Sequence, residues 1–337
     1  MITGVHVRGF HHITCIGSHP QRNVEFYAGV LGLRLVKKTV HFDNEDVYHL
    51  YYGDDAATPG TVLTFFPFSN PLPAVRGSNS IQEIAFAVPT SSCGFWKSRL
   101  ECCRVDADYW VEEFGDPVLR FRDHDGQRLK LVAAAGCERY QGNRYGSISA
   151  EHSIRRLQGV CLGVIDIASE LNVLTDLLGL ERQSENGNVT RLAFAATGEA
   201  GPHVDVEHMA GVTPAPRLPL EGAPAMAGTA NHFAFATEDE QSQLGFRDLL
   251  VSAGLTLTPV KDRRYFKSIY MIDPGGIRVE IATEGPGFAV DESLDRLGEA
   301  LCLPPWLEHL RPAYETSLPP IAAKSTPGDA EKRRNSV

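Results

Sequence analysis

Three residues set far apart in the chain are of types that hold a divalent metal: His12 in HHITCIG (11–17), His232 in NHFAFAT (231–237) and Glu280 in DPGGIRVE (273–280). Two neutral imidazoles and one carboxylate form the facial triad of non-haem Fe(II) oxygenases. Three ligands on one face leave about three coordination positions open, room for a chelating substrate and O2. A lone histidine on a strand is usually structural, so the set gains meaning only if the fold brings the three together. A second histidine, His11, stands beside His12. Strand alternation turns neighbouring side chains to opposite faces, so His11 and His12 cannot do the same job.

The elements that would position these residues emerge when the chain is compared with itself. HHITCIG, QEIAFAV (82–88), QGVCLGV (158–164) and NHFAFAT are short apolar segments entered by a polar or small pair. Each precedes an amphipathic helical stretch: RNVEFYAGVLGL, GFWKSRLE, ASELNVLTDLLGL and LGFRDLLVSAGL. Strand-like runs follow, among them YHLYYGD, VLRFRDHDGQRLKLV, VTRLAFAAT and KSIYMIDPGGIRVEIA. DHDG (123–126) and DPGG (273–276) read as turns of one type between strands. The chain is therefore α+β, with four βαβββ modules at 8–70, 78–135, 154–210 and 229–290, forming two curved-sheet half-barrels. A C-terminal segment (291–315) and a polar, disordered tail (324–337) follow.

Superposing the modules places His12, Glu83, Gly159 and His232 at one position of the first strand. His11, Gln82, Gln158 and Asn231 occupy the position before it. In the last strand Glu280 aligns with Lys130 and with Thr64, or with Phe65 in a register shifted by one, and module 3 offers Asp205 or Glu207. The triad is thus built from repeat-equivalent or paired positions, and its metal site forms between modules 1 and 4. Thr64 is no carboxylate, which disfavours a four-ligand site. Glu83, Lys130 and Gly159 cannot mimic the triad, and a Glu83–Lys130 ion pair is expected there.

The bulk properties narrow the function. A formal charge of −10 argues against nucleic acid or an anionic membrane as partner. No apolar run reaches the roughly 20 residues of a membrane span, and the N-terminus lacks a signal-peptide core. Seven cysteines without CxxC fit reduced thiols and a cytoplasmic location.

GFHHITCI, FYAGVLGLRLVKKTVHFD, YHLYYGD, TPGTVLTFFPF, DRRYFKSIYMIDPGG and VEIATEGPGF together resemble the vicinal oxygen chelate superfamily of glyoxalases and extradiol dioxygenases. Within it they are most similar to the hydroquinone ring-cleaving 1,2-dioxygenases, over about residues 8–312. The resemblance implies His12, His232 and Glu280 as ligands to Fe(II), with Mn(II) as an alternative. It implies a small aromatic diol and O2 as partners. It also implies catalytic roles for His11, Arg263 and Tyr270 and a substrate-side role for Thr14. His49, in YHLYYGD, is a candidate pocket residue, with core packing as its other reading. Asn231 stands where the subgroup has a second histidine, so an amide that cannot shuttle protons faces the substrate side. In ordinary extradiol enzymes both histidines come from modules 3 and 4. Here module 3 has Gly159, so module 1 must supply the first, and modules 1 and 4 must pair.

Two other readings use the same scaffold: a glyoxalase-type lyase or isomerase, and a non-catalytic protein that sequesters a small aromatic. The sequence leaves open the ring substituents, para- versus ortho-diol preference, the native metal and homo-oligomerisation.

Overall fold

A computed structural model describes residues 6–195, 201–216 and 225–322, with backbone alone at 44–46. The expected disordered tail lies outside these residues. The first unit comprises β1 (Phe10–Gly17), α1 (Pro20–Val24), β2 (Arg34–His41), β3 (Asn44–Gly53) and β4 (Val62–Pro67). After the short β5 (Leu72–Pro73) come β6 (Ser80–Val88), α2 (Cys93–Cys102), β7 (Val111–Glu113), β8 (Asp116–Arg122) and β9 (Arg128–Ala133). The third unit is β10 (Arg156–Val164), α3 (Ile167–Asn172), β11 (Leu180–Asn186), β12 (Val189–Phe194) and β13 (His203–His208). A two-residue strand, β14 (Met226–Ala227), pairs with β5. The fourth unit is β15 (Thr229–Thr237), α4 (Glu240–Ser252), β16 (Lys261–Asp262), β17 (Lys267–Ile272) and β18 (Arg278–Thr283), and α5 (Arg311–Ser317) lies near the end.

The strands form two eight-stranded curved sheets, β16-β17-β18-β15-β1-β4-β3-β2 and β11-β12-β13-β10-β6-β9-β8-β7. The first unit thus joins the fourth through antiparallel β1–β15, and the second joins the third through β6–β10. Alternation divides the faces. Ile13 and Cys15 of β1, Phe233 and Phe235 of β15, and Val279 and Ile281 of β18 enter the main apolar core. Ala234, Tyr265, Phe266, Ala282 and Phe288 form a smaller cluster on the other face of the first sheet.

α4 shows how a helix fixes the sheet that carries the site. The Asp239 side chain accepts from the Ser242 amide at 2.8 Å, a cap that contributes about 1 kcal/mol. Gln243, Phe246 and Leu250 recur at helical spacing and are buried. Burial of Phe246 stabilises the contact by roughly 1.5–3 kcal/mol. Gln243 Nε2 then donates to the carbonyls of Lys267 and Ile281, both at 2.8 Å, tying the helix to β17 and β18.

The two hairpins read as one turn type do share their geometry. Gly126 and Gly276 have φ of +84° and +80°, which glycine adopts without a Cβ clash. Asp123 and Asp273 each accept a hydrogen bond from the amide four residues on, at 2.8 Å. The segment after β18 docks on β2, where buried Lys37 Nζ meets Asp291 and Glu292 at 2.6 Å each. All seven cysteines are free thiols. Among the described residues no helix is long and apolar enough to cross a membrane.

Candidate metal centre

β1, β15 and β18 are neighbours in the first sheet and bring His12, His232 and Glu280 to one buried point. Glu280 Oε2 lies 3.2 Å from His12 Nε2 and 3.0 Å from His232 Nε2. Ser268 Oγ donates to Glu280 Oε1 at 2.5 Å, while Oε2 is buried with no directed hydrogen-bond donor. A buried carboxylate oxygen that faces two imidazole nitrogens is a place where a shared cation would be stabilised. The donor set therefore fits a divalent metal.

The electrostatics agree. Burial alone would raise the Glu280 carboxyl, but the two imidazoles, His12 first, outweigh it and hold Glu280 well below the usual carboxylate range. Burial lowers His232 to about 4, against the pull of Glu280. An ionised carboxylate beside neutral His232 is the protonation state a metal site requires.

Strict alternation fails at His11, and for a definite reason. Phe10 pairs with Phe235 and His12 with Ala234, so His11 is an extra residue in a β-bulge. The bulge brings both histidines onto one side, where Phe266 packs on His11 at 4.7 Å and on His12 at 5.2 Å between ring centres. Asn231 is the matching extra residue of β15, for Thr14 pairs with His232 and Cys15 with Ala230. Gln82 and Gln158 are skipped in the same way between β6 and β10. All four modules thus carry a bulge at the residue before the ligand position.

These bulges give each ligand histidine a partner. His11 Nδ1 lies 2.9 Å from His12 Nδ1, and Asn231 Oδ1 lies 2.8 Å from His232 Nδ1. In each ligand the Nδ1 side is thereby engaged and Nε2 faces Glu280, the arrangement that fixes tautomer and ring plane in metal sites. His11 is also held by the Thr283 backbone, and burial, then His12, lowers it to about 3. Asn231 accepts a second bond from Arg278 Nη1 at 2.7 Å. Asn231 is thus engaged by His232 and Arg278, and it also lines a cleft.

The remaining candidates cluster around this point. Tyr270 pairs with Glu280 across β17–β18, its ring 5.7 Å from that of His232. Burial, then Glu280, pushes its phenol up to about 12, so the hydroxyl stays protonated at neutral pH. Arg263 Nε donates to Tyr270 Oη at 3.1 Å, and Arg263 Nη1 to Asp43 at 2.9 Å. Thr64 lies opposite Thr14 and donates to it at 3.0 Å, while His49 Nε2 lies 2.9 Å from Thr64 Oγ1. His49 therefore joins the cluster through Thr64, and burial, then His41, keeps its imidazole well below its ordinary pKa.

Register also settles the alignment of the other modules. Ala234 pairs with Glu280, Thr14 with Thr64, Ala85 with Lys130 and Cys161 with Asp205, so Asp205 and not Glu207 is the module 3 counterpart. In the second sheet the equivalent position holds charges of both signs. Lys130 Nζ lies 3.3 Å from Glu83 and 3.8 Å from Asp205, Arg120 Nε bonds Glu83 at 2.9 Å, and Arg191 grips Asp205 at 2.7 and 2.8 Å. Here cationic side chains stand where the other sheet gathers metal-ligating types. Sequence reasoning passed over Ser268 and Arg278. Arg278 could have been found, because it lies two residues from Glu280 on the same strand face.

Two half-barrels of paired βαβββ units, one with a two-histidine, one-carboxylate cluster, define a paired-module scaffold with a candidate metal site. The chain belongs to the glyoxalase/bleomycin resistance protein/dioxygenase superfamily, whose family model matches residues 9–131 and 156–281. It is 37% identical over 320 residues to "Putative ring-cleaving dioxygenase MhqO" of Bacillus subtilis, covering 94% of this chain and 97% of that one. It is 28% identical over 312 residues to a chlorohydroquinone/hydroquinone 1,2-dioxygenase of Sphingobium indicum, covering 90% and 94%. The crystal structure of a "putative dioxygenase" from B. subtilis superposes with a TM-score of 0.85 at 35% identity, covering 96% of this chain and 100% of that one.

Proposed function

We propose that the chain is an Fe(II)-dependent, extradiol-type dioxygenase that cleaves the ring of a hydroquinone-like or catechol-like diol with O2. The observation that carries this reading is the convergence of the His12 and His232 Nε2 atoms on one buried oxygen of Glu280. The names of the relatives supply the reaction class. A redox-active ion held by these three groups, Fe(II) or Mn(II), supplies open coordination positions and the electron transfer that O2 chemistry needs.

The chain's own residues supply the rest. His11 and Asn231 hold the Nδ1 sides of the two imidazoles so that both Nε2 atoms face inward. Tyr270, protonated at neutral pH and steadied by Arg263, donates a hydrogen bond or proton to oxygen that becomes anionic during the reaction. The Arg263 guanidinium stabilises the same charge. Phe266 shields the histidine pair from water. Thr64 supports a three-ligand site, because its hydroxyl is bound between His49 and Thr14 where a lyase-type site would place a fourth carboxylate.

The test is oxygen uptake by anaerobically Fe(II)-loaded protein offered hydroquinone, substituted hydroquinones and catechols. About one O2 per ring is expected, and His232→Ala should lose metal and uptake together. Full metal content in His232→Ala, or no uptake with every diol, would overturn the proposal.

A further inference from the structure

A line of four hydrogen-bonding side chains crosses β3, β4 and β1 and ends beside the ligand cluster. Tyr51 Oη lies 2.8 Å from His49 Nδ1, and His49 Nε2 lies 2.9 Å from Thr64 Oγ1. Thr64 in turn meets Thr14 at 3.0 Å. Thr14 pairs with His232 across β1–β15, which sets the two side chains next to each other on one face. The rings of Tyr51 and Phe66, 3.9 and 4.2 Å away between centres, clamp the His49 imidazole. Tyr51 is 1% exposed and both threonines are fully buried, so their hydroxyl hydrogens need acceptors other than bulk water.

Counting hydrogens fixes the direction of the line. Each hydroxyl and the neutral imidazole brings one hydrogen, so three links leave one spare, on Thr14 or on Tyr51 according to direction. A phenol is the more acidic hydroxyl and a bare imidazole nitrogen the better acceptor, so Tyr51 donates to His49 Nδ1. His49 Nε2–H then donates to Thr64, and Thr64 donates to Thr14. Among the described residues Thr14 donates to no group, and its hydrogen is left over beside His232.

We propose that His49 and Tyr51 are positioning residues that, through Thr64, fix Thr14 as a hydrogen-bond donor to an anionic ligand oxygen at the centre, such as a phenolate. The proposal rests on the dioxygenase reading for the diol and adds the form in which it binds, ionised at the oxygen that faces Thr14. Hydrogen bonds in series polarise one another, so the line strengthens its last donor without placing a charge of its own beside the cluster. A bond from that donor to an ionised oxygen is of the stronger, charge-assisted kind.

Two measurements test this. In full-length, metal-free protein with isotope-labelled histidine nitrogens, the His49 resonances, assigned by their loss in His49→Gln, should show Nδ1 bare and Nε2 protonated. The opposite tautomer would overturn the proposal on the unaltered protein. The second measurement titrates Mn(II)-loaded protein under nitrogen with nitrocatechol, whose colour reports its ionisation. Thr14→Val should weaken binding of the ionised dye about 10–100-fold, the loss of a bond to a charged group, and Thr14→Ser should not. His49→Gln keeps a donor to Thr64 and should bind nearly as the unaltered protein does. His49→Glu, the same shape with an acceptor in that place, should lose as much as Thr14→Val. In a Thr64→Val background the two position-49 variants should bind alike, because the effect travels through Thr64. Equal losses in His49→Gln and His49→Glu, or a contrast that survives Thr64→Val, would overturn the proposal. Oxygen uptake without the contrast sinks this role alone, and the contrast without uptake sinks the dioxygenase reading alone.

Discussion

Asn231→Ala is the sharpest probe of how the centre is held. Asn231 Oδ1 is a shared acceptor, 2.8 Å from His232 Nδ1 and 2.7 Å from Arg278 Nη1. Truncation leaves the buried His232 Nδ1–H without its acceptor, a cost of about 1–3 kcal/mol. It also lets the imidazole rotate about bonds that the amide had fixed. Partners of this kind typically affect metal affinity 10–100-fold, or about 1.4–2.7 kcal/mol, so Asn231→Ala should weaken Fe(II) or Mn(II) binding by that range. Asn231→Asp should retain or increase affinity, because a carboxylate accepts the same proton and makes the ligand more basic. Chelator competition with a metal-sensitive dye reads both variants, and thermal unfolding without metal separates affinity from folding. Unchanged affinity in Asn231→Ala, or equal losses in Ala and Asp variants, would refute the idea that the bulged residue orients the ligand.

In the second sheet Lys130 is 4% exposed and faces Glu83, Glu113 and Asp205, so Lys130→Met should destabilise the protein by about 3–5 kcal/mol in denaturant unfolding. Metal content per folded molecule should not change, and a fall would show that the two sheets share one site. Acid should also weaken the metal-free protein. Buried His11 and His203 are lowered to about 3 and His232 to about 4, whereas unfolded imidazoles take up protons below about 6.5. Between those limits the unfolded chain binds more protons, so stability falls as pH falls, by up to about 1.4 kcal/mol per pH unit for each histidine. A flat stability profile from pH 6.5 to 4 would show that these rings are not held neutral in the fold.

The module order and the ligand cluster were legible because they depend on repeat spacing. His12, His232 and Glu280 can be aligned by counting from a strand start or a turn glycine. The bulges were not legible, because a bulge is a mismatch in count between two paired strands and neither strand shows it alone. That is why strict alternation turns His11 away from the site. Asp205 was separable from Glu207 only by its pairing with Cys161. Arg278 was legible from its place two residues before Glu280 on one strand face, whereas its bond to Asn231 is seen only across the sheet.

The pairing of the first unit with the fourth, around the pair formed by the second and third, also sets an order of assembly. The inner sheet can close as soon as the third unit leaves the ribosome, whereas β1 must wait for β15 and β18. Closing so long a loop slows folding more than it lowers final stability. Nascent chains that end before β18 lack Glu280 and expose the unpaired edge of β1, so they cannot complete the His12–His232–Glu280 cluster. The nested order keeps that cluster apart until synthesis is nearly finished, and it makes β1 the segment most exposed to mispairing in the meantime.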